Sequence, residues 1–302
     1  MDRLDAMTVL LAAAESGSLS KASRKLQLPL ATVSRKMADL EGYLKATLLI
    51  RSSKGLELTP AGRAYVTAAK AILEQVTEAE RAAAGEYLEP KGDLVVTAPI
   101  MFGRLHVLPV VTSFLAAYPD VSVGLVLTDR VTHLLDDQVD VALRIGNLPD
   151  SSLVAVGLGA VRRIVCASPN YLATKGAPSV PEDLVEHDAI SFDGITVPSY
   201  WSFWNAGEEM KVTIRSRLSV NTIDAAIDAG LSGAGVIRVM SYQVVEHLKR
   251  NELVTVLEQF APSAAPVHLV YDKQGRLPLK LRAFIDFVVP RLRERVSAAT
   301  LR

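Results

Sequence analysis

SLSKASRKLQLPLATVSRKMADLE, residues Ser18 to Glu41, decides the fold. Ser18 is placed to cap a short helix that runs to Lys25 or Leu26, with Leu19, Ala22, Ser23 and Leu26 on one face at helical spacing. Gln27 to Pro29 interrupts that helix. Pro29 lacks the amide that a helix interior needs but fits a helix start, so a second helix is predicted from about Leu30 to Gly42. On it Val33, Met37 and Leu40 share one face, while Ala31, Ser34, Arg35 and Ala38 share the other. The apolar face must pack inward, which turns the small and polar face outward.

Lys21, Arg24, Lys25, Arg35 and Lys36 lie within this stretch with no acidic residue between the first and the last, although the whole chain carries 33 basic and 33 acidic residues. A local excess of this kind suits a surface that meets phosphates. A helix showing small residues, a hydroxyl and an arginine can enter a major groove closely, with Arg35 free for a bidentate contact to guanine and Ser34 for a phosphate or base edge. The pair therefore has the form of a helix-turn-helix; a solvated helical pair with scattered lysines is the plain alternative.

With 302 residues, 49% of them hydrophobic, the chain is long enough for about two domains with ordinary cores. Its zero formal net charge confines any nucleic-acid contact to one region. MDRLDAMTVL has acids where a leader would be basic, and no run of 18 uncharged apolar residues follows, so no membrane partner is expected and the expected location is the cytoplasm. The single cysteine, Cys166, has no disulfide partner in the chain and is expected to be a small buried hydrophobe.

Leu4, Met7, Leu10 and Leu11 predict a first helix that closes a small core beneath the turn. Leu48 to Arg51 and Leu56 to Leu58 predict a hairpin whose polar turn ends at Gly55, with Arg51, Ser53 and Lys54 near its tip, within reach of phosphates or a minor groove. Thr59 and Pro60 then open a helix with no breaker before Gly85. Along it Ala61, Tyr65, Ala68, Ile72, Val76, Ala79 and Ala83 make an apolar seam over about 28 residues, roughly 40 Å. Such a seam needs a partner, either the same helix of a second subunit or the helix's own chain.

After the hinge at Pro90, Lys91 and Gly92, strand-like runs occur at 94–98, 121–127, 139–145, 163–168, 212–218, 235–239 and 267–271. Helical runs lie between, among them Phe102 to Ala117, Asn221 to Leu231 and Leu279 to Arg293. This succession predicts α/β architecture with mainly parallel sheets, and its length suits two lobes around a cleft. No HExxH, GxSxG, P-loop or CxxC pattern occurs, and His106, His133, His187, His247 and His268 lack metal spacing. No cofactor, metal or catalytic residue is expected, although an α/β enzyme and a solute-binding protein are the rival functions.

SGSLSKASRKLQLPLATVSRKMADLE, LLIRSSKGLELTPAGR, VDVALRIG, CASPNYLATKGAPSVPEDL and AGLSGAGV together resemble the LysR-type transcriptional regulators over essentially the whole chain. The resemblance implies a winged helix-turn-helix at 1–59, a dimerisation helix at 60–89 and a two-lobed, periplasmic-binding-protein-like effector domain at 90–302. Lobe I would span about 93–165 and 268–302, and lobe II about 166–267. It implies double-stranded promoter DNA and a small-molecule effector as partners, and a homodimer or homotetramer. Ser34 and Arg35 match the family's recognition-helix pair and Arg51 its wing arginine. Gln27 and Pro29 stand where glycine and serine are usual, which bears on the turn's geometry, and Leu49 where phenylalanine is usual.

The DNA-binding candidates are Ser18, Lys21, Ala31, Thr32, Ser34, Arg35, Lys36, Arg51, Ser53 and Lys54, and the dimerisation candidates are Tyr65, Ala68, Ile72, Val76 and Ala79. Effector candidates sit where strands end: Pro99, Ile100, Met101 and Phe102, then Gly146 and Asn147, then Asn221 and Thr222 at a helix start, together with Phe192. The apolar corner at residues 100–102 favours a ligand with an aromatic or otherwise apolar body, unless those side chains pack the lobe's own core.

Overall fold

The structure, a computed structural model, describes residues 2–52, 55–83, 89–130, 139–192, 200–272 and 277–299, and at 51, 52, 74, 78 and 81–83 the backbone alone. Helix α1 (Arg3–Ser16) starts at Asp2, whose carboxylate accepts from the amides of Leu4 and Asp5 at 3.0 and 3.4 Å. Helices α2 (Leu19–Leu26) and α3 (Leu30–Leu44) follow, then a hairpin of β1 (Leu49–Ser52) and β2 (Gly55–Leu58) and the long helix α4 (Pro60–Ala83). Ala6, Val9, Leu10, Val33, Met37, Leu40, Leu48 and Val66 form the small core expected beneath the turn, while Leu4 stays exposed.

The turn between α2 and α3 closes despite its lack of glycine. Gln27 itself adopts the left-handed conformation (φ 53°, ψ 34°), its amide donates to the Arg24 carbonyl, and the Leu28 amide donates to the Ser23 carbonyl at 3.0 Å. The Ser23 hydroxyl returns the bond, donating to the Leu28 carbonyl at 2.6 Å. A side chain in that conformation costs about 1–2 kcal/mol, which the clasp offsets. Ser18 occupies the N-cap position of α2, but its side chain makes no capping hydrogen bond, contrary to expectation. At the far end of α3 the Glu41 carboxylate accepts from the amides of Leu48 and Leu49 at 2.7 and 3.1 Å, so the second helix of the motif holds the root of the hairpin directly. The Leu56 amide donates to the Gly17 carbonyl at 3.1 Å and ties the other strand to the α1–α2 corner.

Thr59 caps α4, accepting from the Gly62 amide at 2.9 Å while its hydroxyl donates to the Thr47 carbonyl at 2.7 Å. Gly62 faces the Leu48 carbonyl so closely that a Cβ there would lie 2.0 Å from the oxygen. Helix α4 packs on α1 through Val66 and Ala69, with Tyr65 partly buried beside them, whereas Ala68, Ile72 and Ala79 of the expected seam are exposed and Val76 is half-buried.

The remainder of the chain is β3 (Gly92–Ala98), α5 (Ile100–Ala117), β4 (Val121–Leu127), β5 (Val141–Ile145) and β6 (Val154–Val161), then β7 (Arg163–Ala167), α6 (Pro169–Lys175), β8 (Asp188–Phe192), β9 (Tyr200–Asn205), β10 (Glu208–Thr213) and β11 (Arg215–Val220). It ends with α7 (Ile223–Leu231), β12 (Val236–Met240), α8 (Ser241–Lys249), β13 (Val254–Val256), β14 (Ala265–Tyr271) and α9 (Leu279–Ala298). Two five-stranded sheets result, ordered β4-β3-β5-β14-β6 and β11-β8-β12-β7-β13. Both are mixed rather than mainly parallel: β14 runs antiparallel to β5 and β6, and β7 antiparallel to β12 and β13. The run 212–218 is not one strand but the end of β10 and the start of β11. Since β6 and β7 belong to different sheets, the chain crosses at Arg162, and it returns before β14; residues 163–165 and 265–267 therefore lie in the opposite lobe from that expected.

Strand β7 shows why its sequence is apolar on both faces after Arg163. Ile164 and Cys166 face the core shared with lobe I, while Val165 and Ala167 face a second cluster roofed by Trp201, Phe203 and Val212 of the β9–β10 hairpin. Burial pushes the Cys166 thiol up to about 12, so it is inert core. Helix α5 is apolar enough over 18 residues to span a bilayer, but here Phe102, Val107, Val111 and Phe114 are buried in lobe I, and Phe114 meets Phe284 of α9 edge to face at 5.0 Å. Between the lobes Phe102, His106 and Tyr242 form a triangle of rings with centroids 5.0 to 5.5 Å apart.

Two outcomes follow from this packing. Gly62→Ala forces the wing root and α4 apart and should lower the stability of the N-terminal module by about 1–3 kcal/mol; an unchanged denaturation midpoint would contradict the close approach. His106 has no hydrogen-bond partner for either ring nitrogen among the described residues, and burial first, with Arg295 nearby, lowers its pKa from 6.5 to about 4. The folded protein thus keeps the ring neutral while the unfolded chain takes up a proton below about 6.5. This contribution is whole above that pH and is lost as pH falls towards about 4, by up to roughly 3 kcal/mol. Urea midpoints across that range should fall for the wild type and fall less for His106→Leu; equal slopes would show that His106 does not carry the dependence.

Candidate functional site

Two surfaces are candidates for the site. The first is the outer face of α3. Val33, Met37 and Leu40 are buried, so Ala31, Ser34 and Arg35 are exposed together, with Thr32 half-buried beside them. Pro29 starts the helix in an extended conformation, its carbonyl accepting from Thr32 and Val33. Lys21 on α2 is exposed next to this face. Lys36 is not available in the same way, because its ammonium is paired with the Asp5 carboxylate of α1, and Lys25 is likewise paired with Glu15 at 2.5 Å. Both acids come from α1, outside the window in which the sequence shows only cations. Ser18 contributes its carbonyl, which accepts from Ala22 and from the Ser16 hydroxyl. Arg51 lies on β1, with its side chain outside the described residues, as are Ser53 and Lys54 entirely.

The second surface is a cavity of about 370 Å³ between the lobes. Lobe I lines it with Pro99, Thr128, Asp129, Arg130, Arg144 and Ile145. Lobe II contributes Arg163 and Arg238, the ends of β8 at Ser191 and Phe192, and the aromatic walls of Trp201 and Tyr242. Of the expected effector residues, Pro99 and Phe192 line it and the others do not. Met101 and Phe102 are buried in the lobe I core, at 7% and 0% exposure, because the first turn of α5 directs them under the sheet. Ile100 is exposed, and its amide donates to the Asp129 carboxylate at 3.1 Å. The N-terminus of α5 is therefore already capped by the protein's own carboxylate, which removes it as the anchor for a ligand's acid. Gly146 donates its amide to the Pro266 carbonyl with Asn147 exposed beyond it, Thr222 caps α7 through the Ala225 amide at 3.4 Å, and Asn221 is exposed.

Four arginines among the described residues line the cleft, all outside those expected at strand ends, and three of them leave a signal in the sequence. Arg144 interrupts VALRI, Arg163 opens RIVCA and Arg238 interrupts VIRVM, and an arginine within an apolar strand needs a polar place to reach. Arg238 lies over the Trp201 ring, 5.2 Å from its centroid, and Arg144 donates to the Leu143 carbonyl at 3.1 Å. Across the cleft's rim Arg104 of α5 pairs with Asp224 of α7 at 2.6 Å. No cluster of three or more metal-ligating side chains occurs among the described residues.

Comparison with known proteins covers both surfaces. Residues 4–63 match the family described as bacterial regulatory helix-turn-helix protein, lysR family, and residues 88–293 match the LysR substrate binding domain. An HTH-type transcriptional repressor of Pseudomonas aeruginosa is 34% identical over 96% of this chain and 92% of its own length. The HTH-type transcriptional activator AaeR of Escherichia coli is 29% identical over 95% of this chain and 93% of its own. Among solved structures, CrgA, a LysR-type transcriptional regulator from Neisseria meningitidis, aligns with a TM-score of 0.60 at 30% identity, covering 95% of this chain and 98% of that one. Full-length LysG from Corynebacterium glutamicum, solved with bound effector Arg, shares the fold with a TM-score of 0.71 at 20% identity, covering 97% and 99%.

Proposed function

The chain belongs to the LysR family of bacterial transcriptional regulators and is a DNA-binding regulator rather than an enzyme; from that premise we propose how its own residues do the work. The recognition helix is α3, which enters a major groove of promoter DNA with Ala31, Thr32, Ser34 and Arg35, while Lys21 and the wing residues Arg51, Ser53 and Lys54 meet backbone phosphates. The observation that carries this is the burial of Val33, Met37 and Leu40, which leaves Ser34 and Arg35 exposed on one face. Glu41 fixes the wing root to the same helix, so the two elements approach the duplex as one body. Lys36, paired to Asp5, orients α3 rather than gripping DNA.

Residues 1–59 form the DNA-binding module, 60–89 the dimerisation helix and 90–302 the effector domain. Helix α4 uses its Val66 and Ala69 face on its own chain and has a second face, with Ala68, Ile72 and Ala79 exposed, for the same helix of another subunit. Ile72 alone leaves 40% of its surface in water. The regulator works in the cytoplasm, as a homodimer or homotetramer, and a small molecule in the interlobe cavity biases its hold on DNA. A solute-binding protein or an α/β enzyme would have no use for the exposed Ser34–Arg35 face.

Arg35→Ala should weaken binding to a specific operator by about 1–3 kcal/mol and erase preference at the base pair it reads; competition binding that leaves the preference intact would overturn the assignment. Ile72→Asp places a charge in the proposed subunit seam, where burying it unpaired is costly. Sedimentation should show dissociation of the variant with its circular dichroism preserved; an intact oligomer would mean that subunits meet elsewhere.

A further inference from the structure

The lining of the cleft identifies the class of molecule it accepts. Arg130 and Arg144 come from lobe I, Arg163 and Arg238 from lobe II, and Asp129 is the one carboxylate in the lining of the described residues. That carboxylate is already engaged by the Ile100 amide. Arg130 and Arg163 are exposed, one from each lobe, and make no ion pair with any described residue. Guanidinium groups brought towards one another across a shared cavity repel, and an anion between them reverses the sign of that interaction.

A second observation is independent of charge. Ser191 is among the residues that line the same cavity, is 2% exposed, and its buried hydroxyl has no hydrogen-bond partner among the described residues. A buried hydroxyl in that state is destabilising until a ligand supplies the partner. Phe192, Trp201 and Tyr242 furnish flat apolar wall beside it, and 370 Å³ holds one or two fused rings with an acid group.

We infer that the cleft takes an aromatic organic acid, its oxyanion held by Arg130 from one lobe and Arg163 from the other with the Ser191 hydroxyl donating, and its ring against Phe192, Trp201 and Tyr242. This rests on the cleft being the effector site. The apolar body expected from the sequence is retained, but its anchor moves from the corner at residues 100–102 to the arginines. Because the two guanidiniums belong to different lobes, the acid draws the lobes together, and a neutral analogue of the same shape does not.

The test titrates full-length protein with benzoate, 1-naphthoate, benzamide, succinate and inorganic phosphate, by calorimetry and by tryptophan fluorescence. The aromatic carboxylates should bind, with affinity falling as salt rises, and benzamide should bind at least about tenfold more weakly than benzoate. Arg163→Gln and Arg130→Gln should each weaken the carboxylates about tenfold, and Ser191→Ala by less. Equal binding of benzamide and benzoate, arginine variants that bind as the wild type does, binding of succinate or phosphate alone, or no binding of any probe at millimolar concentration would each overturn the inference. Fluorescence anisotropy with operator DNA separates this from the effector role. Aromatic acids that bind through Arg163 without altering DNA affinity uphold the ligand class and remove the role, whereas a neutral aromatic that alters DNA affinity from the same cavity does the reverse.

Discussion

An exposed guanidinium with no ion-pair partner among the described residues marks both the outer face of α3 and the cavity between the lobes. The chain has as many acids as bases, so any cation meant for an outside anion must be kept away from the protein's own carboxylates. Several other charges are paired: Arg104 with Asp224, Arg217 with Asp188, Lys36 with Asp5 and Lys25 with Glu15. Arg35 on α3 and Arg130 and Arg163 in the cleft make no ion pair with a described residue. Arg35 and Arg163 sit on elements whose apolar faces are buried, which leaves their side chains exposed to an outside anion.

Holding them there requires rigid local structure, and the N-terminal module shows how it is obtained. Gln27 and Lys45 both take left-handed conformations at helix ends, each closing a helix through backbone hydrogen bonds. Glu41 then fastens the hairpin to α3, and Gly62 lets α4 lie against the Leu48 carbonyl. Helix α3, the β1–β2 hairpin and helix α4 therefore share one small set of contacts, and a disturbance at the hairpin root is felt along α3. In the regulatory domain the corresponding joint is the crossing at Arg162, whose carbonyl accepts from the Ser241 amide at 2.7 Å and whose amide donates to the buried Ser241 hydroxyl at 3.3 Å.

Local pattern made the N-terminal module legible. The burial of Val33, Met37 and Leu40, the proline at the start of α3 and the hairpin after Leu48 all act within a few residues of one another. The role of Lys36 was illegible for the opposite reason: its partner Asp5 is far away in sequence and reaches it only once α1 packs on α3. The same limit governs the sheets. Strand β14 could be read as a strand from its apolar run, but its antiparallel place between β5 and β6 depends on the chain returning to lobe I after all of lobe II has been built. Met101 and Phe102 follow a strand end, yet the turn of α5 takes them into the core; of the arginines that line the cleft, Arg144, Arg163 and Arg238 sit on strands and only Arg130 follows a strand end.

Selection of binding sites from a library of random DNA duplexes, with the full-length protein as the selecting agent, tests the central claim most directly. A dimer presenting two copies of α3 predicts recovery of two half-sites related by two-fold symmetry and spaced for successive major grooves on one side of the duplex. Recovery of no common sequence, or of a single asymmetric half-site, would contradict it.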